Sequence, residues 1–256
     1  MHLFDVSRWI GYLATLGSAC LLARLMWLGL ARRYAWLAGY LLADILQTVL
    51  LLDKQPYSLF YGTVFFATEG AKSILTIGLS VQLWLLALRE YPGVARYGRK
   101  IAFYTLLAAL VLALGGLALQ PPLSGGQGPF SHYFYAIEGA IDSMVGLFLV
   151  AATLFLLWFP VEVSSNLALI MGGAVFLLVQ TWAGLLLVNL YPKSMYSVDV
   201  WMLVLDLLCV IFWNVAVRKQ GETTTTVTGH RWNREETEHW LERLDAINQR
   251  LEQASR

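Results

Sequence analysis

The sequence predicts an all-α polytopic membrane protein. Its core is a seven-transmembrane-helix bundle with the amino terminus outside and the carboxyl terminus in the cytoplasm, and a short cytoplasmic amphipathic helix follows. Three observations carry this. Fifty-eight per cent of the 256 residues are hydrophobic and 14% are charged, against about 45–50% and about 25% in soluble domains. Seven apolar stretches lie near or above the ~20 residues that cross ~30 Å of hydrocarbon as a helix. Finally, lysine and arginine are sorted to one side of the loops those stretches create.

The spans fall at 9–30, 35–52, 58–88, 101–119, 132–159, 166–190 and 198–217. With the amino terminus outside, the inner loops hold Arg32, Arg33, Arg89, Arg96, Arg99, Lys100, Arg218 and Lys219, while the outer segments hold Arg8, Lys54 and Lys193. That asymmetry sets the predicted orientation. Trp9, Tyr57, Tyr61, Tyr191 and Trp201 cluster near one boundary and Tyr34, Trp36, Trp84 and Trp158 near the other, where amphipathic rings prefer to sit. The segment from Gln120 to Ser131 is rich in Gly and Pro and reads as an irregular loop. The fifth span ends at Phe159-Pro160, because proline cannot continue the helical ladder. The first residues, MHLFDVSR, lack the basic region of a cleavable signal, and the apolar run after them is too long for one. Cys20 and Cys209 both fall within spans and read as small packing residues rather than a disulfide framework.

The chain divides into a membrane domain (1–218), a Thr-rich linker (219–232) and a tail helix (233–256). Gly221–Gly229, GETTTTVTG, reads as polar and non-helical because β-branched threonines and two glycines disfavour helix. In the tail, Asn233 is a candidate N-cap with Glu235 and Glu236 in the first turn. Trp240, Leu244, Ile247 and Leu251 make a 4-3-4 apolar seam of about two heptads. A helix that short is marginal alone. It is expected to dock on a second copy of the chain or on a cytoplasmic protein. Its acidic excess argues against the membrane surface, and a net charge of +1 gives no reason to expect nucleic acid.

The third span is the most informative. Glu69, Lys72, Ser73, Thr76 and Ser80 fall on one helical stripe. Aligning Phe65 with Phe134 also matches Ala67, Glu69, Gly70 and Ala71 to Ala136, Glu138, Gly139 and Ala140. The match suggests parallel helix-hairpin repeats, spans two–three and four–five, of a kind found in transporters. Chance similarity between apolar segments is the competing explanation.

Ionisable groups in hydrocarbon are costly, so they face the bundle interior and pair. Asp44, Glu69, Glu138, Asp142 and Asp206 are five such acids, and Lys72 is the one deep base. Glu69 and Lys72 lie three apart and can pair within their helix. Glu138 and Asp142 lie four apart and would repel if they share a site. The surplus of carboxylates predicts a polar cavity open toward the outside and biased to a small cationic ligand or a proton. These six residues are the candidate site. The plainer alternative is a buried network that fixes helix register, although polar pairs between membrane helices average only about 0.6 kcal/mol.

Several chemistries find no support in the residues. The seventh span lacks the lysine of a retinal protein. Histidine is too sparse for an intramembrane metal hydrolase, and there is no nucleophile triad or phosphate loop. No cofactor, metal or enzymatic activity is expected. LLADILQ in span two resembles the aspartate motif of G-protein-coupled receptors, but span three ends in Arg89-Glu90-Tyr91 and span seven has no Asn-Pro-x-x-Tyr. With Phe60-Tyr61, Phe65-Phe66 and Glu69 opening span three and a charged helix closing the chain, the layout resembles a group of uncharacterised bacterial seven-span membrane proteins. The resemblance implies an inner-membrane location and no particular activity. The functional expectation is therefore a receptor-like sensor. A small-solute or proton-coupled transporter and a membrane scaffold or assembly subunit are the alternatives.

Overall fold

The computed structural model describes residues 3–52, 54, 58–89, 129–158, 161–190 and 195–228, together with scattered positions between 100 and 111 and between 239 and 253. It is helical almost throughout. We number the continuous helices α1 (Leu3–Trp27), α2 (Ala35–Leu51), α3 (Leu59–Ala87), α4 (Pro129–Trp158), α5 (Ser165–Leu190) and α6 (Met195–Ala216). They coincide with the first, second, third, fifth, sixth and seventh apolar stretches. Within the fourth stretch, every described residue from Phe103 to Val111 is helical, and Leu106 and Leu110 pack on the core. The described tail positions His239, Glu242, Arg243, Ala246, Ile247, Gln249, Arg250 and Gln253 are likewise helical and exposed. The rest of the expected seam, Trp240, Leu244 and Leu251, lies outside the described residues.

Local chemistry sets the helix ends. α1 stops at Gly29, whose φ of 71° only glycine adopts without cost. The Leu30 amide donates to the Leu25 carbonyl at 2.8 Å and the Gly29 amide to the Met26 carbonyl at 3.0 Å. Together they form a Schellman motif, completed by the buried Leu25 and Leu30 side chains. α3 starts at Ser58, whose hydroxyl accepts from the Tyr61 amide at 3.2 Å, an N-cap worth about 1 kcal/mol.

The helices close a ring in chain order: α1 packs on α2, α2 on α3, α3 on α4, α4 on α5, α5 on α6, and α6 returns to α1. Side-chain pairs give the directions. Gln47 meets Glu69 while Gln82 reaches the Arg33 carbonyl, so α2 and α3 are antiparallel. Phe66 stacks edge-on against Phe134 and Trp84 against Phe155, so α3 and α4 run parallel. Asn214 reaches the Gly17 carbonyl and Arg24 the Val217 carbonyl, so α6 runs parallel to α1. Close approach relies on glycine at Gly78, where an added Cβ would lie 2.2 Å from the Trp36 ring, and at Gly173, 2.5 Å from the Trp213 ring.

The ring turns a broad apolar surface outward. Trp27, Leu16, Val49, Ile74, Trp201 and Phe212 are all at least half exposed, far beyond the scattered apolar surface of a soluble monomer. Three helices are long and apolar enough to cross a membrane: Arg8–Trp27, Leu59–Ala87 and Ile137–Leu157. The apolar stretches Ala35–Leu51, Ser165–Thr181 and Val200–Ala216 are shorter.

At one end of the ring, a feature absent from the sequence reading joins the α4–α5 connection to the segment that follows α6. Val161–Ser164 (β1) pairs antiparallel with Thr225–Thr228 (β2), with Val161 opposite Thr228 and Ser164 opposite Thr225. The segment read as a polar linker is thus partly a strand. Its β-branched residues, which disfavour helix, equally favour a strand once a partner is present. A four-residue 3₁₀ turn, Lys219–Glu222, leads into β2. There the buried Asn166 donates to the Arg218 carbonyl at 2.7 Å and to Glu222 Oε1 at 2.9 Å, and its own Oδ1 accepts from the Arg218 amide at 3.1 Å. Tyr34 donates to Glu222 Oε1 at 2.8 Å, and Arg33 pairs with Glu222 Oε2 at 3.0 Å. Burial and the adjacent Glu222 carboxylate push the Tyr34 hydroxyl upward from its ordinary pKa, keeping it a donor.

The Asn166 clasp should matter to stability. Asn166→Ala removes the side-chain partner of the Arg218 amide and carbonyl and of Glu222, at about 1 kcal/mol or more. The expected result is a lower thermal midpoint and earlier amide exchange at Thr225–Thr228. A midpoint and exchange pattern equal to wild type would show that the clasp holds nothing.

Candidate functional site

The ring interior is where the sequence placed its costly residues. α2 carries Tyr40, Asp44 and Thr48 at four-residue spacing, hence on one face, and Gln47 beside them. Thr48 turns its hydroxyl back to the Asp44 carbonyl at 3.1 Å and meets Thr15 of α1 at 3.1 Å. Ser18 of α1 donates to Asp44 Oδ2 at 3.4 Å. These hydroxyls come from a polar stripe on α1, Gly11, Thr15 and Ser18, which the sequence reading passed over. The 4-3 spacing was the available signal. Tyr40 was also missed, although it stands one turn before Asp44.

α3 supplies the base. Lys72 Nζ lies 2.8 Å from Glu69 Oε1 and 3.7 Å from Asp44 Oδ1. Gln47 also donates to Glu69 Oε1, at 2.8 Å. Lys72 is therefore committed to two carboxylates on two helices, and its side chain is only 13% exposed. The intrahelical pair expected from the three-residue spacing is present, with a second arm across to α2.

α4 adds Glu138 and Asp142. Glu138 stands near Glu69 of α3. The two Glu-Gly-Ala segments thus face one another, with Phe66 and Phe134 in ring contact at 4.7 Å on the same side of the bundle. Neither Gly70 nor Gly139 has a neighbour within 4 Å of where a Cβ would stand, so the shared glycines are not needed for that approach. Asp142, one turn further along α4, lines the central cavity instead.

α5 and α6 complete the site. Gln180 donates through Nε2 to Asp206 Oδ1, and to the Met202 carbonyl at 3.3 Å. Asn214, which the sequence places on the Asp206 face, instead ties α6 to α1 through the Gly17 carbonyl at 3.1 Å. The side chains of Asp199 and Asn189 lie outside the described residues.

Lined by residues of all six helices is a cavity of about 450 Å³, a size that suits a small organic molecule. Asp44, Asp142 and Asp206 line it from three helices, together with Tyr40 and the hydroxyls of Thr15, Ser18, Thr48, Thr76, Ser80 and Thr181. Between them the wall is apolar, with Leu37, Leu41, Leu79, Leu149, Leu178 and Trp213. Of the six candidate residues, Asp44, Asp142 and Asp206 line the cavity, and Glu69, Lys72 and Glu138 form a linked polar group beside it. Among the described residues no cluster of three or more His, Cys, Asp or Glu is arranged to hold a metal ion. Cys209 is buried and Cys20 exposed, both as free thiols.

No family model, curated protein or solved structure matches the chain.

The Lys72 junction makes a definite prediction. Breaking a buried ion pair from one side costs about 3–5 kcal/mol, because the partner charge stays buried. Lys72→Met should therefore lower the thermal midpoint sharply. Adding Glu69→Gln to it should restore much of the loss, with a coupling of about 1 kcal/mol or more. Strict additivity in that double-mutant cycle would show that Lys72 and Glu69 do not act as a pair.

Proposed function

We propose that this protein is a receptor-like integral membrane sensor that binds a small cationic ligand in the cavity at the centre of its helical ring. The observation that carries the reading is the charge imbalance at that cavity. Three carboxylates line it, and the deep base beside it, Lys72, is already bound to Glu69 and Asp44. A cation is the ligand that offsets the remainder.

In the membrane the chain crosses seven times, amino terminus out. Parallel α3 and α4 support this count, because the chain between them must return along the bundle, and residues 101–119 are the apolar segment available for it. The alternating directions of the other helices agree. Arg24, Arg32, Arg33, Arg89, Arg218 and Lys219 gather at the β-ribbon end, which the positive-inside rule makes cytoplasmic.

The sensor reading rests further on the clasp. The segment leaving α6 is strapped to the α4–α5 connection by β1–β2 and by Glu222. A change in helix packing at the cavity would reach that strap directly, and through it the tail helix that docks on a second copy or a cytoplasmic protein. A transporter is the second reading, favoured by the facing Glu69 and Glu138 segments, as parallel repeats around an axis along the membrane normal would place them.

Proteoliposome flux separates the two. The sensor requires cation-dependent changes in amide exchange at Thr225–Thr228 without net uptake of the cation. Reproducible uptake that disappears in Asp206→Asn would establish the transporter instead.

A further inference from the structure

Taking the central cavity as a cation site, we infer that its ligand is an organic amine whose ammonium group is held at Asp206, which Gln180 positions, and whose hydrocarbon body lies along the leucine wall. The three cavity carboxylates are not equivalent. Asp44 already has Lys72 and the Ser18 hydroxyl. Asp142, like Asp206, makes no ion pair among the described residues, and Gln180 is what sets Asp206 apart from it. Asp206 has no cationic partner among the described residues.

Gln180 supplies the second, independent observation. It is 8% exposed, and its Nε2 is held by two acceptors, Asp206 and the Met202 carbonyl. That fixes which end of the amide is which, and leaves Oε1 buried with no partner. An orphan buried acceptor carries a desolvation penalty until a donor arrives. Gln180 itself is not among the residues lining the cavity; it meets the cavity through Asp206, whose carboxylate it holds in place. Asp206 accepts from one neutral amide and has no cation, so its carboxylate keeps acceptor sites that a primary ammonium with three N–H groups satisfies.

The rest of the wall selects against a bare inorganic cation. Small hard cations take six or more oxygens at short range, whereas here Leu37, Leu79, Leu149 and Leu178 stand between the polar groups. At about 450 Å³ the cavity is also far larger than one ion requires. An apolar surface facing a single charged corner fits a cation with a hydrocarbon tail.

The test is a binding series on the purified full chain, followed by thermal shift at constant ionic strength. The probes are ammonium, methyl-, ethyl-, propyl- and n-butylammonium chlorides, sodium chloride, and neutral n-butanol. Affinity should rise along the alkyl series, by about fourfold per methylene where each is buried. Butanol and sodium should give no saturable shift. Asp206→Asn should weaken n-butylammonium by about tenfold or more, and Gln180→Leu should weaken it less. If Asp206→Asn does not fold, Gln180→Leu and the wild-type alkyl series still decide the matter.

An affinity that is flat or falls with chain length overturns the amine inference. So does equal binding of butanol, or unchanged binding in the variants. Should sodium or ammonium bind in an Asp206-dependent way while the alkyl amines bind no tighter, the cation cavity stands and the amine does not. Should no cation shift the midpoint at all, both fall.

Discussion

Carboxylates held between apolar helices are the constraint on which the rest of this structure turns. Moving one ion out of water costs several kcal/mol even after the surroundings relax, and Asp44, Glu69, Glu138, Asp142 and Asp206 all lie well inside the helices of this ring. Lys72 answers part of that cost by reaching two of them, Glu69 on its own helix and Asp44 across the α2 contact. Gln47, Ser18 and Gln180 answer more of it with neutral donors. The packing of α1, α2 and α3 is accordingly tied to one polar junction. The six-helix ring leaves a central space because its inner faces carry groups that need partners other than hydrocarbon.

The two ends of the ring differ in how they are held. At the ribbon end, α1 stops in a Schellman turn, Arg33 and Tyr34 converge on Glu222, and Asn166 grips the backbone after α6. The contacts of Arg33 and Tyr34 with Glu222 join residues more than 180 positions apart and draw the start and finish of the ring together. Gly221 fits only because it has no Cβ, which would lie 2.2 Å from Asn166 Oδ1. At the opposite end, the described contacts near α1 and α2 are lighter. Arg8 donates to Tyr12 at 2.7 Å and, more weakly, to the Leu52 carbonyl at 3.4 Å. A cavity between helices clasped at one end is a geometry in which a bound ligand and the clasp can influence one another. Coupling of that kind needs differential contacts in two states.

Much of the architecture was legible from residue order. Helix positions followed from apolar run length, and the six continuous helices begin and end within a few residues of the expected spans. Which residues are costly was legible too, since charge in an apolar run is conspicuous. The ribbon was not legible, because its two strands are four residues long and lie about sixty positions apart, with no turn signal joining them. Ser18 and Thr15 were passed over because Ser and Thr are tolerated in apolar helices by bonding back to their own backbone, as Thr15 also does at Gly11. Only the neighbouring helix turns them into part of a site.

The sequence by itself determined the helices, their apolar faces and the excess of acid over base, because each depends on composition and period along one chain. Tertiary structure alone decided which acids meet. Asp44 and Lys72 lie 28 positions apart and Glu69 and Glu138 lie 69 apart, and nothing local distinguishes a partner from a bystander at that range. The order of helices around the ring set those pairs, left Asp206 beside an unsatisfied glutamine, and turned a list of buried charges into a cavity. Packing complementarity at Gly78 against Trp36 and Gly173 against Trp213 helped select that order, and such complementarity exists only between helices already brought together.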